Sequence, residues 1–531
     1  MDTLRTQYFG LMIGQTLVFK GQYQLTVLKG AVSLLGAVLH SSTKSYSVFA
    51  PQTHALPVIE CINVQDSSLL EQTAIPEQIE YMPSAYRAIL QIRSLSSGLQ
   101  TISQLVPSYK SLWSVSGSNS VPPESYDLLL TGPESTVIHN VFDSWHDMCT
   151  KVLTSDSHTT SPVILVTGAK SSGKSSFCRF LSNFLLSRAF DSLYYLELDP
   201  GQPEYCPPGT LSLHILSSHS DLNFGPPYTH CGFQNTVKAH SIGDTTPRDQ
   251  PSQFIAYTQD LLKVYKSTLI HEQTPLVINT PGWTRGMGLE LIYEIASASE
   301  PTLVVHLGSD DSQLDVQSTI NPELPFYGIE TIAKYMAAPA LRYTAADCRT
   351  LQIMSYLHGG DFTRHLTELI PYQIPYNPLQ AKGISGIGVL DSEGVLPEDC
   401  VTCVNAAIVS IVCVDKDVTI SSIPTPEGLP WLDPSSLSSV LEPGHSRCIG
   451  QGVVQAIDEQ KKCIRLITPI DMDLIDDCMT KEKNIILVRG RLHLALWELY
   501  NSNFKQKVPY LSEIRERRTK RYVLRRGRSD V

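Results

Sequence analysis

Residues Gly168-Ala169-Lys170-Ser171-Ser172-Gly173-Lys174-Ser175 spell the pattern GxxxxGKS, and their flanks constrain what this chain can fold into. An apolar run, Pro162 to Thr167 (PVILVT), precedes the pattern and reads as a strand. Ser176 to about Ala189 (SFCRFLSNFLLSRA) follows and reads as a helix. A glycine-rich turn between strand and helix aims its amides, and the positive end of the helix dipole, at anionic phosphate oxygens. Lys174 then adds a point charge for the β and γ phosphates. The Ser175 hydroxyl is placed to ligate Mg²⁺, and Ser176 completes the cradle. The loop calls for a nucleoside triphosphate and leaves open whether that ligand is hydrolysed, transferred from or only held.

The rest of the chain sorts into three stretches. Residues 1–125 read as a β-rich module with a linker: short runs (QTLVFKG, QYQLTVLKG, AVSLLGAVL, YSVFAP, LPVIECINV) recur between Gly and Pro turn signals, and Ser114 to Ser125 is rich in Ser, Gly and Pro. Residues 126–384 alternate strands (PVILVT, SLYYLELD, TPLVINT, PTLVVHLG) with helices near Gln253–Tyr265 and Gly288–Ala296, and His139 to Thr154 reads as an amphipathic helix leading in. That alternation predicts an α/β domain with a mostly parallel sheet, which binds ligands at the carboxyl ends of its strands. Residues 385–531 return to short strands (AAIVSIVCV, CIGQGVVQAID, KCIRLITP, NIILVRG), broken by a Pro/Ser-rich insertion from Ser421 to Gly444.

Charge and cysteine usage narrow the partners. The net charge of −11 argues against a uniformly basic nucleic-acid binder, yet Arg515 to Arg528 gathers eight basic residues. A basic tail on an acidic body fits an RNA arm, a nuclear address or a dock for an acidic partner. The twelve cysteines form no framework, so reduced thiols in an intracellular protein are expected, and Cys400-x-x-Cys403 lacks a second pair at zinc-finger spacing. No run of eighteen apolar residues and no secretory leader is apparent, so no membrane span is expected.

Four further segments fall at strand ends or beside the loop. Leu198-Asp199-Pro200-Gly201-Gln202 ends the second strand, 25 residues beyond Lys174. Asp199 there suits a metal-bound water or the proton of an attacking hydroxyl; the competing reading is a cap on its own turn. Asn279-Thr280-Pro281-Gly282-Trp283 follows a third strand. Trp283 either stacks on a base, worth about 1–3 kcal/mol, or covers the edge of the core. Thr245-Thr246-Pro247 is a turn near the same face. Arg342 and Arg349 lie in a segment leading into a helix, Thr350 to His358; each is either a lid residue closing over the phosphates or a surface arginine.

GAKSSGKSS, LDPGQPEYCPPG, NTPGWTRGMG and RYTAADCRTLQIMSYLHG, in this order, resemble the polynucleotide 5′-hydroxyl kinase family, and within it the nucleolar branch (nucleolar protein 9) more than the cleavage-factor branch. The resemblance implies an α/β P-loop kinase domain flanked by a β-rich N-terminal and a β-containing C-terminal domain. It implies that Gly168 to Ser176 hold ATP, with Lys174 catalytic, and that Ser175 and Asp199 hold Mg²⁺. Asp199 would be general base or metal-organising carboxylate. Gln202, Thr246, Thr280, Gly282 and Trp283 would grip the terminal nucleotides, and Arg349, with Arg342 as second candidate, would come from the lid. It further implies RNA with a 5′-hydroxyl end as substrate, a HEPN-type endonuclease as partner in pre-ribosomal RNA processing, and a nucleolar location. The competing functions are an ATP-binding scaffold that transfers nothing and an ATPase that drives a conformational change; a scaffold has no need of Asp199, and a motor has no need of Trp283.

Overall fold

The strand that leads into the glycine loop, Val163–Gly168, is buried along its whole length. Its side chains alternate: Ile164 and Val166 join one hydrophobic cluster, Val163 and Leu165 the other. A strand apolar on both faces demands cover on both faces. In this computed structural model the helices Asp143–Thr154 and Lys174–Arg188 pack on one face, and Pro251–Thr268 and Met287–Ser299 on the other. The structure describes residues 5–63, 85–113, 125–129, 143–154, 161–268, 274–308, 329–332, 343–376, 383–390, 395–480, 483–495 and 498. Arg342 and the basic tail lie outside them.

This central sheet has seven strands in the order Thr236–Ser241, Thr210–Ser217, Ser192–Glu197, Leu276–Asn279, Val163–Gly168, Leu303–Leu307, Ile329–Ile332. The last five run parallel. The first two, which the sequence reading does not identify, join through antiparallel pairings, so the sheet is mixed. The glycine-loop strand sits between two parallel neighbours, so its loop emerges at the carboxyl edge together with the ends of Ser192–Glu197 and Leu276–Asn279.

An eight-stranded sheet precedes it and another follows. In the first, two of the expected short runs are one strand, Thr16–Lys29, passing through Gly21 at φ +110. AVSLLGAVL is instead a hairpin, Ala31–Leu34 paired with Ala37–His40, turning at Leu35 and Gly36, both with positive φ. That hairpin packs on the helix Lys174–Arg188: a Cβ on Gly36 would fall 2.3 Å from the Phe180 carbonyl oxygen, and Arg188 donates to the Gly36 carbonyl at 2.6 Å. Sheet on one side and hairpin on the other explain why this helix is buried around most of its circumference. The third sheet takes Tyr372–Pro375 and Ile384–Val389 as well as the strands read from sequence, and the Pro/Ser-rich insertion contains a helix, Pro434–Val440. It joins the central sheet through Ser241 and Ser410, whose hydroxyls lie 2.6 Å apart.

Candidate active site

The glycine loop turns back on itself through Gly168 (φ +147), Ser171 (φ +62) and Gly173 (φ +98) before the helix begins at Lys174. Gly168 is obligatory: a Cβ there would meet the Leu307 carbonyl oxygen at 2.5 Å. Lys174 is 6 % exposed, and its ammonium donates to the carbonyls of Gly168 at 2.9 Å and Ala169 at 3.1 Å. Burial lowers its pKa, with the charge of Asp199 the main opposing influence. Ser172 Oγ is buried and has no hydrogen-bond partner among the described residues, an unmet polar group inside a phosphate cradle.

Asp199 stands just past the end of Ser192–Glu197 and is partly exposed. Its Oδ1 accepts from the Gly201 amide at 2.9 Å, so the turn-capping role read from sequence is real. The same carboxylate lines a cleft of about 390 Å³ shared with Lys174 and Ser175. Capping and facing the cleft therefore coexist. Burial raises the Asp199 carboxyl above its ordinary value, while Lys174, the amides of Gly201 and Gln202, and Arg349 pull the other way.

The cleft gathers most of the residues singled out above. Lys170, Ser171, Gly173, Lys174, Ser175 and Ser176 form its floor, and Gln202, Thr246, Gly282, Trp283 and Arg349 stand around it. Trp283 also packs against the hydrophobic cluster beneath, so it serves core and cleft at once. Gly168, Ala169 and Ser172 shape the loop without lining the cleft. Thr280 is a correction: it is fully buried, and its hydroxyl donates to the Val166 carbonyl at 2.8 Å, fastening the strand end to the glycine-loop strand instead of facing a ligand. Arg349 is a second. Its helix starts at Ala345, under a capping box made by Thr344 and Asp347, so Arg349 projects from the second turn of an ordered helix and not from a loop. Gln352 of that helix donates to the carbonyls of Pro203 at 2.6 Å and Cys206 at 2.9 Å, which clamps it to the Asp199–Cys206 loop.

Three further residues lie at or beneath the site, and the sequence motifs assign none of them a role. Glu197 is fully buried beneath Asp199, and Asn279 lies beside it. His54 comes from the N-terminal sheet domain, between Ser45–Ala50 and Val58–Cys61, and lines the cleft with Ser175 and Ser176. Its Nδ1 is 2.9 Å from Thr53 Oγ1, which is 2.8 Å from the Tyr228 hydroxyl. Burial first and the Arg179 guanidinium second bring its pKa down to about 4, with Glu204 opposing, so the ring is neutral at pH 7. A second cavity, about 340 Å³ between Lys44, Asp221 and His230, shares no residue with the cleft.

Hard oxygens from Ser175 and Asp199 on one wall, with triphosphate donors beside them, are the ligand type Mg²⁺ takes. The arrangement can bind a triphosphate, hold a cation at its end, and present a carboxylate and an aromatic face to a second molecule.

Comparison with known proteins agrees with this reading. Residues 168–359 match the sequence model for the P-loop of the mRNA cleavage and polyadenylation factor CLP1, and residues 4–78 match that for the N-terminal domain of polynucleotide 5′-hydroxyl-kinase NOL9. Proteins named polynucleotide 5′-hydroxyl-kinase grc3 align over most of the chain. The one from Aspergillus oryzae is 29 % identical over 91 % of this chain and 66 % of its own length; that from Schizosaccharomyces pombe is 28 % identical over 98 % and 78 %; that from Yarrowia lipolytica is 28 % identical over 95 % and 83 %. Among solved structures, wild-type Clp1p in complex with Pcf11p superposes with a TM-score of 0.55 at 16 % identity, covering 92 % of this chain and 99 % of that one, which shows the shared fold.

Proposed function

The chain belongs to the polynucleotide 5′-hydroxyl-kinase family, and on that premise we propose that it transfers the γ-phosphate of ATP to the 5′-hydroxyl end of RNA. The observation that carries this reading is the single cleft in which Lys174 and Ser175 of the glycine loop meet Asp199, Trp283 and Arg349. The 5′ oxygen attacks the γ-phosphorus, the bond to the β–γ bridging oxygen breaks, and ADP leaves. The proton of the attacking hydroxyl passes to the Asp199 carboxylate. Lys174 swings from the loop carbonyls to the phosphates, and Arg349 neutralises charge on the transferring group. Trp283 stacks on a terminal base while Gln202 and Thr246 hold the sugar-phosphate end. Ser175 and Asp199 would hold Mg²⁺, which supplies charge neutralisation between the phosphates. Positioning and fixed charge carry most of the acceleration, since phosphoryl transfer asks for little covalent work.

In the same reading the RNA is a pre-ribosomal transcript, the compartment is the nucleolus, and the basic segment from Arg515 to Arg528 docks an endonuclease of the HEPN type. The resemblance to the nucleolar branch and the charge contrast between tail and body support these assignments.

The test is incubation of wild type and Lys174→Ala with γ-labelled ATP and 5′-hydroxyl RNA, with the matching DNA as a second arm. Label on the RNA end that disappears in the variant supports the kinase. Free phosphate with unlabelled RNA assigns an ATPase instead, and bound ATP with neither product leaves a scaffold.

A further inference from the structure

Asn279 is fully buried at the end of Leu276–Asn279, in register with Glu197 on the parallel neighbour. Its Nδ2 lies 2.9 Å from Glu197 Oε1 and 3.2 Å from Oε2. Glu197 receives two more donors: the Asp199 amide at 2.9 Å on Oε1 and the Glu204 amide at 3.0 Å on Oε2. Every contact on this carboxylate brings an N–H, which fixes the orientation of the Asn279 amide. The same NH₂ group donates to Ser175 Oγ at 3.3 Å. One buried amide thus ties the serine of the glycine loop to the carboxylate that holds the Asp199 peptide. A buried carboxylate is costly, and apolar residues of similar volume would fill the space with less penalty. Stability alone gives no reason for the pair.

We propose that Glu197 and Asn279 are positioning residues that set the Ser175 hydroxyl and the Asp199 carboxylate against each other as one divalent-cation site. The donation from Asn279 occupies one lone pair of Ser175 Oγ and directs the other toward the cleft. The Glu197 oxygen on the Asp199 amide fixes the start of the turn that aims the Asp199 side chain. Neither Glu197 nor Asn279 lines the cleft, so both act through the residues they hold. The inference rests on the kinase reading for the presence of the cation, and its test does not depend on turnover.

Mn²⁺ titrated into the full chain with a non-hydrolysable ATP analogue, read by electron paramagnetic resonance, reports the site directly. Asn279→Ala and Glu197→Gln are each expected to weaken Mn²⁺ by roughly 10–100-fold, the range for residues that orient metal ligands. Binding of the analogue without metal should stay within about twofold, because the loop amides and Lys174 are untouched. Asn279→Ser, which keeps a small polar side chain, is the replacement if the alanine variant does not fold. Mn²⁺ affinity equal to wild type in folded variants overturns the proposal. Weakened Mn²⁺ in the variants of a protein that labels no RNA upholds the pair and removes the kinase reading; RNA labelling by wild type with unmoved Mn²⁺ affinity removes the pair alone.

Discussion

Gly282 and Lys170 meet backbone to backbone: a Cβ on Gly282 would fall 2.8 Å from Lys170 Cα and 3.0 Å from its nitrogen. The Trp283 segment therefore leans directly on the glycine loop, and the acceptor side of the cleft is in register with the triphosphate side. Gly282→Ala has to push one against the other. A displacement approaching 1 Å at reacting groups costs on the order of 10²-fold in rate, so kcat/KM should fall by about that factor with the fold intact. Steady-state kinetics beside a melting curve read it, and unchanged kinetics would show that the contact is soft.

Asp199→Asn separates binding from transfer. The amide keeps the shape and can still cap the turn at Gly201, so ATP affinity should persist. Transfer should drop by roughly 10²–10⁴-fold, the usual worth of a positioned general base. In the free protein burial raises the Asp199 carboxyl above its ordinary value, and loss of the carboxylate as pH falls should give the wild-type rate profile an acid limb. The limb should vanish in the variant. A variant that transfers at the wild-type rate would remove Asp199 from the proton path.

The motifs that place this cleft were legible because each is local. A strand end, a glycine turn and a helix start lie within a few residues of one another, and a parallel sheet brings such ends to one edge. What escaped is non-local or depends on side-chain direction. Glu197 sits in the run Leu193 to Leu198, where apolar neighbours mark a core strand; a carboxylate there was the available signal, since such a group must be met by donors. His54 is separated from Ser175 by 121 positions and belongs to another sheet, so no spacing rule reaches it. The family resemblance places Thr280 in the cleft, but its side chain turns inward to Val166. The sequence predicts a helix from Thr350, just after Arg349; the capping box of Thr344 and Asp347 starts it at Ala345, five residues earlier. The strands Thr210–Ser217 and Thr236–Ser241 carry Ser, Thr and His at buried positions, which hid their membership of the core.

His54 makes the N-terminal sheet domain part of the site. If the Tyr228 hydroxyl donates to Thr53 and Thr53 to His54 Nδ1, the neutral ring carries its proton on Nε2. A donor beside Ser175 and Ser176 suits a phosphate or ribose oxygen of the nucleotide. His54→Ala should weaken ATP by about tenfold, or ~1.4 kcal/mol, and His54→Gln, which keeps a donor, should recover part of it. Isothermal titration with ATP measures both, and equal affinities in all three proteins would take His54 out of nucleotide binding.

Arg179, one turn along the helix from Ser175, is held by Glu204 through two hydrogen bonds of 2.8 and 3.0 Å, with side-chain exposures of 10 % and 0 %. Burial would raise the Glu204 carboxyl, but Arg179 and then His230 outweigh it and bring the pKa to about 2. Glu204→Gln strands a buried guanidinium, and removal of one partner of such a pair costs about 3–5 kcal/mol. The sign of the pH dependence follows from the lowered pKa. The contribution is complete above the ordinary carboxyl value of 4.5 and is lost as pH falls toward about 2. Urea unfolding at neutral pH should therefore show the full gap between wild type and variant, and the gap should narrow at pH values below about 4.5. A gap that stays constant into that range would mean that it comes from the hydrogen bonds and packing of residue 204 and not from its charge.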